Sequence, residues 1–513
     1  MRPEISAILL TAALSGRGAA AQQFDPVEVA PHTYTGGWEH FVGGGVATFD
    51  CDGDRLPELY VAGGSAPAAL YRNDSGDALH LRRETPPALE IAGVTGAYPL
   101  DVDNDGRVDL AILRVGENLL MRGIGDCAFA PFEGIGYDGG SAWTTAFSAT
   151  WEEGQTLPTM AFGNYVDRDD PDGPFEACDT HELWRPEAAS YAAPTPLAPG
   201  FCALSMLFTD WSREGRQDLR VSNDRHYYVR GGEEQLWAME RVPRLYTAQD
   251  GWFRHELWGM GIASRDMTGD GLPDVYLTSM GDQRFQVRDG GAGPGYRDAG
   301  YDYGVTAHRP HTGGDGRPST GWHAAFGDVQ NDGLDDLFVA KGNVEQMPDA
   351  AFDDPNNLLV QGPAGTFTER ATQAGVASMA RSRGAALTDL DLDGRLDLVV
   401  VNRRAGMEVY RNVTPDTGHW IGLRVQQPGP NRDAVGAWIE LRVAGRTVAR
   451  EITVGGGHAG GSHGAEHFGL GDVKEAQVRV IWPDGVTSDW ADAPVDGYLT
   501  ATRAGKGLDL VPY

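Results

Sequence analysis

Two ten-residue stretches, DVDNDGRVDL from Asp101 to Leu110 and DLDLDGRLDL from Asp389 to Leu398, share one pattern. Carboxylates stand at positions one, three, five and nine, glycine stands at position six, and an apolar run follows. Oxygens at those positions of a tight turn can converge on one hard cation, with water and backbone carbonyls completing its shell. Glycine at position six suits the left-handed backbone that such a turn needs.

Working outward, further copies begin at Asp50, Asp210, Asp266 and Asp328. The spacing is roughly 50–60 residues, with one double interval between Asp101 and Asp210, and such a period indicates a repeat architecture. The double interval is bridged by AFSATWEEGQTLPTMAFGNY from Ala146, which keeps a strand–turn–strand layout without the acidic loop. That makes seven units. Each loop lies between two short strand-like runs, such as VATFD and ELYVAGG or GAALTD and DLVVVN. A third run follows in several units, as in ALYRND from Ala69 and MEVYRN from Met407. Short strands at this period fit propeller blades. The expectation is an all-β chain: a seven-bladed β-propeller over residues 22–415, then a small antiparallel β domain over 416–513.

The loops differ in their donors. Asp101, Asp103, Asp105 and Asp109 form a full set, as do Asp389, Asp391, Asp393 and Asp397. Asp50, Asp52, Asp54 and Glu58 keep four carboxylates but place Arg55 at position six. Asp266, Asp270 and Asp274 are joined by Thr268, and Asp328, Asp332 and Asp336 by Gln330; both substitutes still offer an oxygen. The loop at Asp210, with Ser212, Glu214 and Asp218, is the poorest. Oxygen-only ligands favour calcium over zinc or copper, so about five Ca²⁺ sites are expected and the one at Asp210 is doubtful. Turn chemistry also favours Asp and Gly, but it does not by itself ask for an acid at position nine.

These loops carry much of the net charge of −31. That balance excludes the clustered basic surface that nucleic-acid binding requires. The first residues, MRPEISAILLTAALSGRGAAA, read as an export signal over 1–21, which places the chain in the periplasm or outside the cell. No later apolar run is long enough to span a membrane. Four cysteines agree with an oxidising compartment. Cys51 with Cys127 and Cys178 with Cys202 is one of the three pairings they allow.

Residues 166–205 break the regular layout. They carry Asp167, Asp169, Asp170 and Asp172, then His181, Glu182 and Trp184, and read as a long loop suited to contacting a ligand. Arg72-Asn73 and Arg411-Asn412 recur after third strands, as turn caps or blade-to-blade pairs. Trp322-His323 and Lys341-Gly342-Asn343 flank the Asp328 loop, where a propeller presents residues to its central funnel. No nucleophile elbow, phosphate-binding loop or zinc-protease helix occurs.

Past Asn412 the text changes. The runs WIELRV, VAREITV and QVRVIW alternate as strands do, around a glycine-rich loop from Gly455 to Gly464. NRDAVGA from Asn431, GGGH ending at His458, HFGLG from His467 and VIWPDG ending at Gly485 resemble the ASPIC/UnbV domain. The acidic repeats resemble FG-GAP/VCBS repeats of integrin-α-like propellers. Together they resemble the cartilage acidic protein family, which implies a secreted calcium-binding propeller with an appended β domain. Where the family commonly carries a Tyr and polar residues, this chain has His458 and His463, while His467 matches. Three close histidines raise a transition-metal site as one reading, and a polar loop with one structural histidine as the other. Functionally the chain reads as a binding, adhesion or scaffold module for a protein or glycan. The alternative is an extracellular hydrolase or lyase acting on a polymer in the funnel.

Overall fold

The strand-like runs are short, apolar and unbroken, the pattern of strands buried on both faces. In the computed structural model, which describes residues 21–513 apart from 77, 172, 174, 175 and 225–231, they stack as blades. The export reading over 1–21 therefore lies outside the described residues except at Ala21, as does Asp172. Among the described residues, the chain up to Asn412 forms seven four-stranded antiparallel sheets. In blade one the strands are Val46–Phe49, Glu58–Val61, Ala69–Asn73 and Leu81–Arg83. Each acidic loop joins the first two strands of its blade, with Leu100 paired to Asp109 and Thr388 to Asp397.

The first strands of successive blades adjoin in a closed cycle that returns from Arg381–Thr388 to Val46–Phe49. Closure is made by the N-terminal strand Phe24–Val27, which pairs with Glu408–Asn412 and becomes the fourth strand of blade seven. A ring leaves only short, protected edges. Tyr60, Leu110, Phe147, Leu219, Tyr276, Phe338 and Val399 are all buried between blades.

Blade three has strands Thr144–Thr150 and Thr159–Asn164 joined without an acidic loop, as its sequence indicates. The segment 166–205 is a different matter. It supplies that blade's third and fourth strands, His181–Trp184 and Thr195–Leu197, and His181 is wholly buried. The expected ligand-contacting loop is thus largely blade; among the described residues the extra chain includes a small hairpin at Pro186–Tyr191 and a turn at Arg168 and Asp169. The disulfides are Cys51–Cys127, tying blade one to blade two, and Cys178–Cys202.

The C-terminal residues form two four-stranded sheets around Ile421, Leu423, Ile439, Leu441, Phe468, Val478 and Trp482. The expectation of a purely antiparallel domain is corrected here. His419–Gln426 pairs antiparallel with Glu466–Gly471 on one side and runs parallel to Gly497–Ala504 on the other, the chain having passed through Ala476–Ile481 and Ala491–Ala493 of the second sheet in between.

Candidate metal loops and the filled central channel

Three loops gather carboxylates tightly. Asp50, Asp52 and Glu58, then Asp101, Asp103 and Asp109, then Asp389, Asp391 and Asp397 each bring three ligand oxygens within 4.8 Å of one another. In all three it is positions one, three and nine that converge. Position five does something else. Asp54, Asp105 and Asp393 accept a hydrogen bond from the backbone N–H two residues on, at 2.9, 2.9 and 3.0 Å.

Position nine is also a fastener for its blade. Asp109 accepts from Val102 N–H and Gly123 N–H, both at 2.8 Å, and Asp397 accepts from Leu390 and Asn412 at 3.0 and 2.8 Å. One carboxylate therefore closes the turn and fixes the third strand. Hairpin chemistry does call for an acid at this position, contrary to the expectation from turn propensity, because only a residue with two acceptor oxygens serves both donors.

The loops at Asp266 and Asp328 do not gather three carboxylates among the described residues. Gln330 is turned within its own loop, donating to Asp332 at 2.6 Å and accepting from Gln22. At the Asp210 loop, Asp218 is occupied by Trp211, Tyr246 and the guanidinium of Arg216, at 2.8, 2.8 and 3.0 Å. A cation already stands there.

The recurrent Arg-Asn pairs have a clear geometry. Arg72, Arg122 and Arg411, all on third strands, lie 2.6, 2.7 and 2.7 Å from the position-three carboxylates Asp52, Asp103 and Asp391. Asn73 and Asn412 reach across to the preceding blade, donating at 2.8 Å to the carbonyls of Leu390 and Val329. The asparagine is the blade-to-blade pair that the sequence suggests; the arginine is a counter-charge for the loop of its own blade.

Oxygen donors alone line these clusters, and the Asp391 carboxylate fits an absent cation well. Its side chain is 1% exposed, yet neither oxygen accepts a directed hydrogen bond; Arg411 meets it only as an ion pair. A buried carboxylate in that state is costly unless another positive group completes its shell. Burial pushes Asp101 up to about 6, Asp389 to about 7, and Glu58 and Asp109 to about 8. Crowded carboxylates add to each shift, which a divalent ion would relieve.

The funnel is partly occupied by the chain itself. The glycine-rich loop of the C-terminal domain enters it and bridges the first strands of five blades, at Thr48, Ala97, Ala149, Leu207 and Ile262. Thr48 N–H donates to Gly461, Ala97 N–H to Ala459, and Gly457 N–H to Ile262, at 3.1, 3.1 and 2.7 Å. Contact is so close that a Cβ at Gly45 would sit 1.7 Å from the Ala459 carbonyl oxygen. The chain's own residues Val454–His463 thus occupy part of the funnel, and a cavity of about 320 Å³ remains beside them, lined by Ile262, His323, Ala385 and Gly457.

His458, in the middle of this plug, is fully buried. Its Nδ1–H donates to the Met260 carbonyl at 2.9 Å, and its Nε2 accepts from Gly43 N–H at 3.1 Å. Its own N–H donates to His323 Nδ1 at 3.0 Å. Burial pushes His458 down to about 3 and His323 to about 4, so both are neutral. Trp322 packs on His458, and the Arg383 guanidinium lies 3.9 Å above the Trp322 ring. Lys341, the other expected funnel residue, is buried in an ion pair with Asp354 at 3.0 Å.

The three loop histidines are kept apart. His463 pairs with Asp433 at 2.9 Å, and His467 with the Asn331 side chain at 2.7 Å while stacking on Trp420. No cluster containing a histidine forms among the described residues.

The C-terminal domain sits on the acidic-loop face. Tyr498 O–H donates to Asp389 at 2.6 Å, Arg432 N–H to Asn104 at 3.1 Å, and Gly471 N–H to the Asn331 carbonyl at 2.8 Å. Arg213 meets Glu440, and Asp210 N–H donates to Glu451, both at 2.7 Å. These docking contacts are absent from any reading of the loops as isolated turns. Gly469 and the turn glycine Gly394 leave the room that Asp328 and Trp420 take up.

Comparison with known proteins agrees with this division. Residues 427–507 match the family described as ASPIC and UnbV, and residues 50–112 match the FG-GAP-like repeat. No curated protein sequence matches the chain. Among solved structures, BBS1N in complex with ARL6DN, soaked with mercury, is similar at 10% identity and TM-score 0.43. That alignment covers 77% of this chain and 98% of that one. The lead-soaked form gives 10% identity and TM-score 0.43 over 78% and 99%. An Agrocybe aegerita protein, described as specifically recognising non-reducing terminal N-acetylglucosamine, gives 15% identity and TM-score 0.39 over 72% and 94%. No helix among the described residues is long and apolar enough to cross a membrane. The chain carries FG-GAP-like repeats and an ASPIC/UnbV domain.

Proposed function

We propose that this chain is an exported, calcium-stabilised propeller of the cartilage acidic protein-like kind, acting as a binding or scaffold module for a protein or glycan partner. The observation that carries the calcium reading is the convergence of the first, third and ninth carboxylates in the loops at Asp50, Asp101 and Asp389. The loops at Asp266 and Asp328 keep fewer carboxylates and are the weaker members of the five. Two disulfides fit an oxidising compartment, and millimolar external calcium suits loops of this charge. With calcium bound, each loop holds a hairpin and presents a fixed surface to the C-terminal domain. The scaffold role is supported by the plug, which narrows the channel and leaves the outer faces and the cleft between the domains for partners.

The test is a melting curve in chelator and in calcium. Ligand that binds only the folded chain raises its stability by mass action. Verified removal of metal is expected to lower the Tm and excess calcium to restore it. An unchanged curve rejects the calcium reading.

A further inference from the structure

The plug does not treat the seven blades alike. Its main chain bridges the first strands of five, at Thr48, Ala97, Ala149, Leu207 and Ile262, and bridges neither blade six nor blade seven among the described residues. The cavity of about 320 Å³ lies against those two, where Ala324, Phe326, Ala385 and Leu387 line it. We propose that this cavity binds a short extended peptide of small residues, held by its main chain on the first strands of blades six and seven. The proposal rests on the binding-module reading and sharpens its protein arm.

Register decides which main-chain groups face the channel. Ala97 stands opposite Ile112 and Ile262 opposite Leu277, the third residues after the position-nine acids Asp109 and Asp274. Both face the plug: Ala97 N–H donates to Ala459 and Ile262 N–H to Gly457, at 3.1 and 3.2 Å. Ala324 and Ala385 hold the same places, opposite Val339 and Val400. Phe326 and Leu387 lie two residues on, at the place from which Thr48 N–H donates to Gly461 at 3.1 Å. Residues two apart on a strand turn their main-chain groups the same way, so all four turn theirs into the channel. Among the described residues, none of the four makes a main-chain hydrogen bond to the plug or to a neighbouring blade.

A row of free N–H and C=O groups is the edge that strand addition uses, and such groups are costly when shut away without a partner. The plug shows what this channel accepts. Its Gly and Ala residues lie main chain to main chain against the other blades, so close that a Cβ on Gly96 would meet the Ala459 carbonyl oxygen at 1.8 Å. Blades six and seven permit the same approach, because Ala324, Ala325, Ala385 and Ala386 carry only methyl groups into the lining. A peptide bound there continues an interface the chain already makes with itself. It repeats its N–H and C=O at the spacing of the strand, which the hydroxyls of a sugar do not. The cavity reaches the surface, where exposed Arg55, Ser462 and Gly464 line it.

The experiment titrates the calcium-saturated full chain with the capped peptide acetyl-Gly-Ala-Gly-Ala-Gly-Ser-amide, with its fully N-methylated analogue and with cellobiose, by calorimetry and ligand-observed NMR. Saturable binding of the plain peptide is expected, with a loss of about tenfold or more on N-methylation, as for at least one main-chain hydrogen bond. Cellobiose is expected to leave the bound peptide in place. Gly464→Trp narrows the mouth from a position where an added Cβ meets nothing within 4 Å, so the fold is kept. That variant and the exposed Ser462→Trp are each expected to lose the peptide. Silence with the plain peptide, equal affinity for the N-methylated one, displacement by cellobiose, or unchanged affinity in both Trp variants overturns the proposal. Unchanged affinity in both puts the peptide on an outer face and leaves the binding-module reading standing. The chelator melt is run on the same samples. A normal calcium response with no peptide binding rejects this inference alone, whereas peptide binding without a calcium response rejects the calcium reading alone.

Discussion

At the scale of single residues, two acids of one loop do different work. Asp103 converges with Asp101 and Asp109, meets Arg122 and accepts a long hydrogen bond from Asp105 N–H at 3.3 Å, whereas Asp109 holds both Val102 and Gly123 at 2.8 Å. Asp109→Ala is therefore expected to cost about 2–4 kcal/mol with or without calcium, the cost of buried donors left unpaired. Asp103→Ala should lower stability in calcium and change little in chelator. Paired denaturant melts of the two variants separate them, and equal losses in chelator refute the distinction. The pH dependence follows from the same groups. Burial lifts Asp101, Asp389, Glu58 and Asp109 to between about 6 and 8, so without metal the native chain binds more protons than the unfolded chain above pH 4. Metal-free stability should then fall as pH rises from about 4 to 8, and calcium should flatten that slope. Thermal melts across this range, with and without chelator, check the sign.

At the scale of elements, the decisive piece is the glycine-rich loop. Its sequence, GGGHAGGSHG from Gly455, reads as a flexible connector, and period and propensity give no reason to place it in a channel. Its function as a plug depends on absent side chains. Glycine on both partners lets backbone approach backbone, and Gly460 would put a Cβ 2.2 Å from the Val46 carbonyl oxygen. Gly460→Val is expected to expel the loop while leaving each domain folded. Limited proteolysis should then cut the linker at residues 413–418, and protection equal to the parent chain would refute the plug. Acid should act on the plug with the opposite sign to the loops. His458 and His323 are held down to about 3 and 4 by burial, so their contribution is complete above pH 6.5 and is lost as pH falls through the histidine range. The segment 166–205 was equally opaque for a different reason. His181–Trp184 is a short strand behind an irregular lead-in, and only pairing with Thr159–Asn164 makes it one.

At the scale of the whole molecule, ring closure and domain docking are what hold the parts in register. The strand Phe24–Val27 pairs with Glu408–Asn412 across the full length of the propeller sequence. A chain lacking residues up to Val27 should leave an exposed edge on blade seven, melt at lower temperature and associate through that edge. Sedimentation and melting of the shortened chain test this, and a monomer with the parent Tm would refute it. The amino-acid sequence by itself determined the all-β class, the repeat, the three full carboxylate sets and the change of domain after Asn412. Those features are local: a turn needs its own glycine and acids, and a buried strand its own apolar run. Only the tertiary structure decided that position nine fastens the blade, that Arg72, Arg122 and Arg411 face the loops, and that a distant loop enters the channel. Each of these depends on groups far apart in the chain meeting at hydrogen-bond distance, and the spacing of residues along a sequence carries no measure of that.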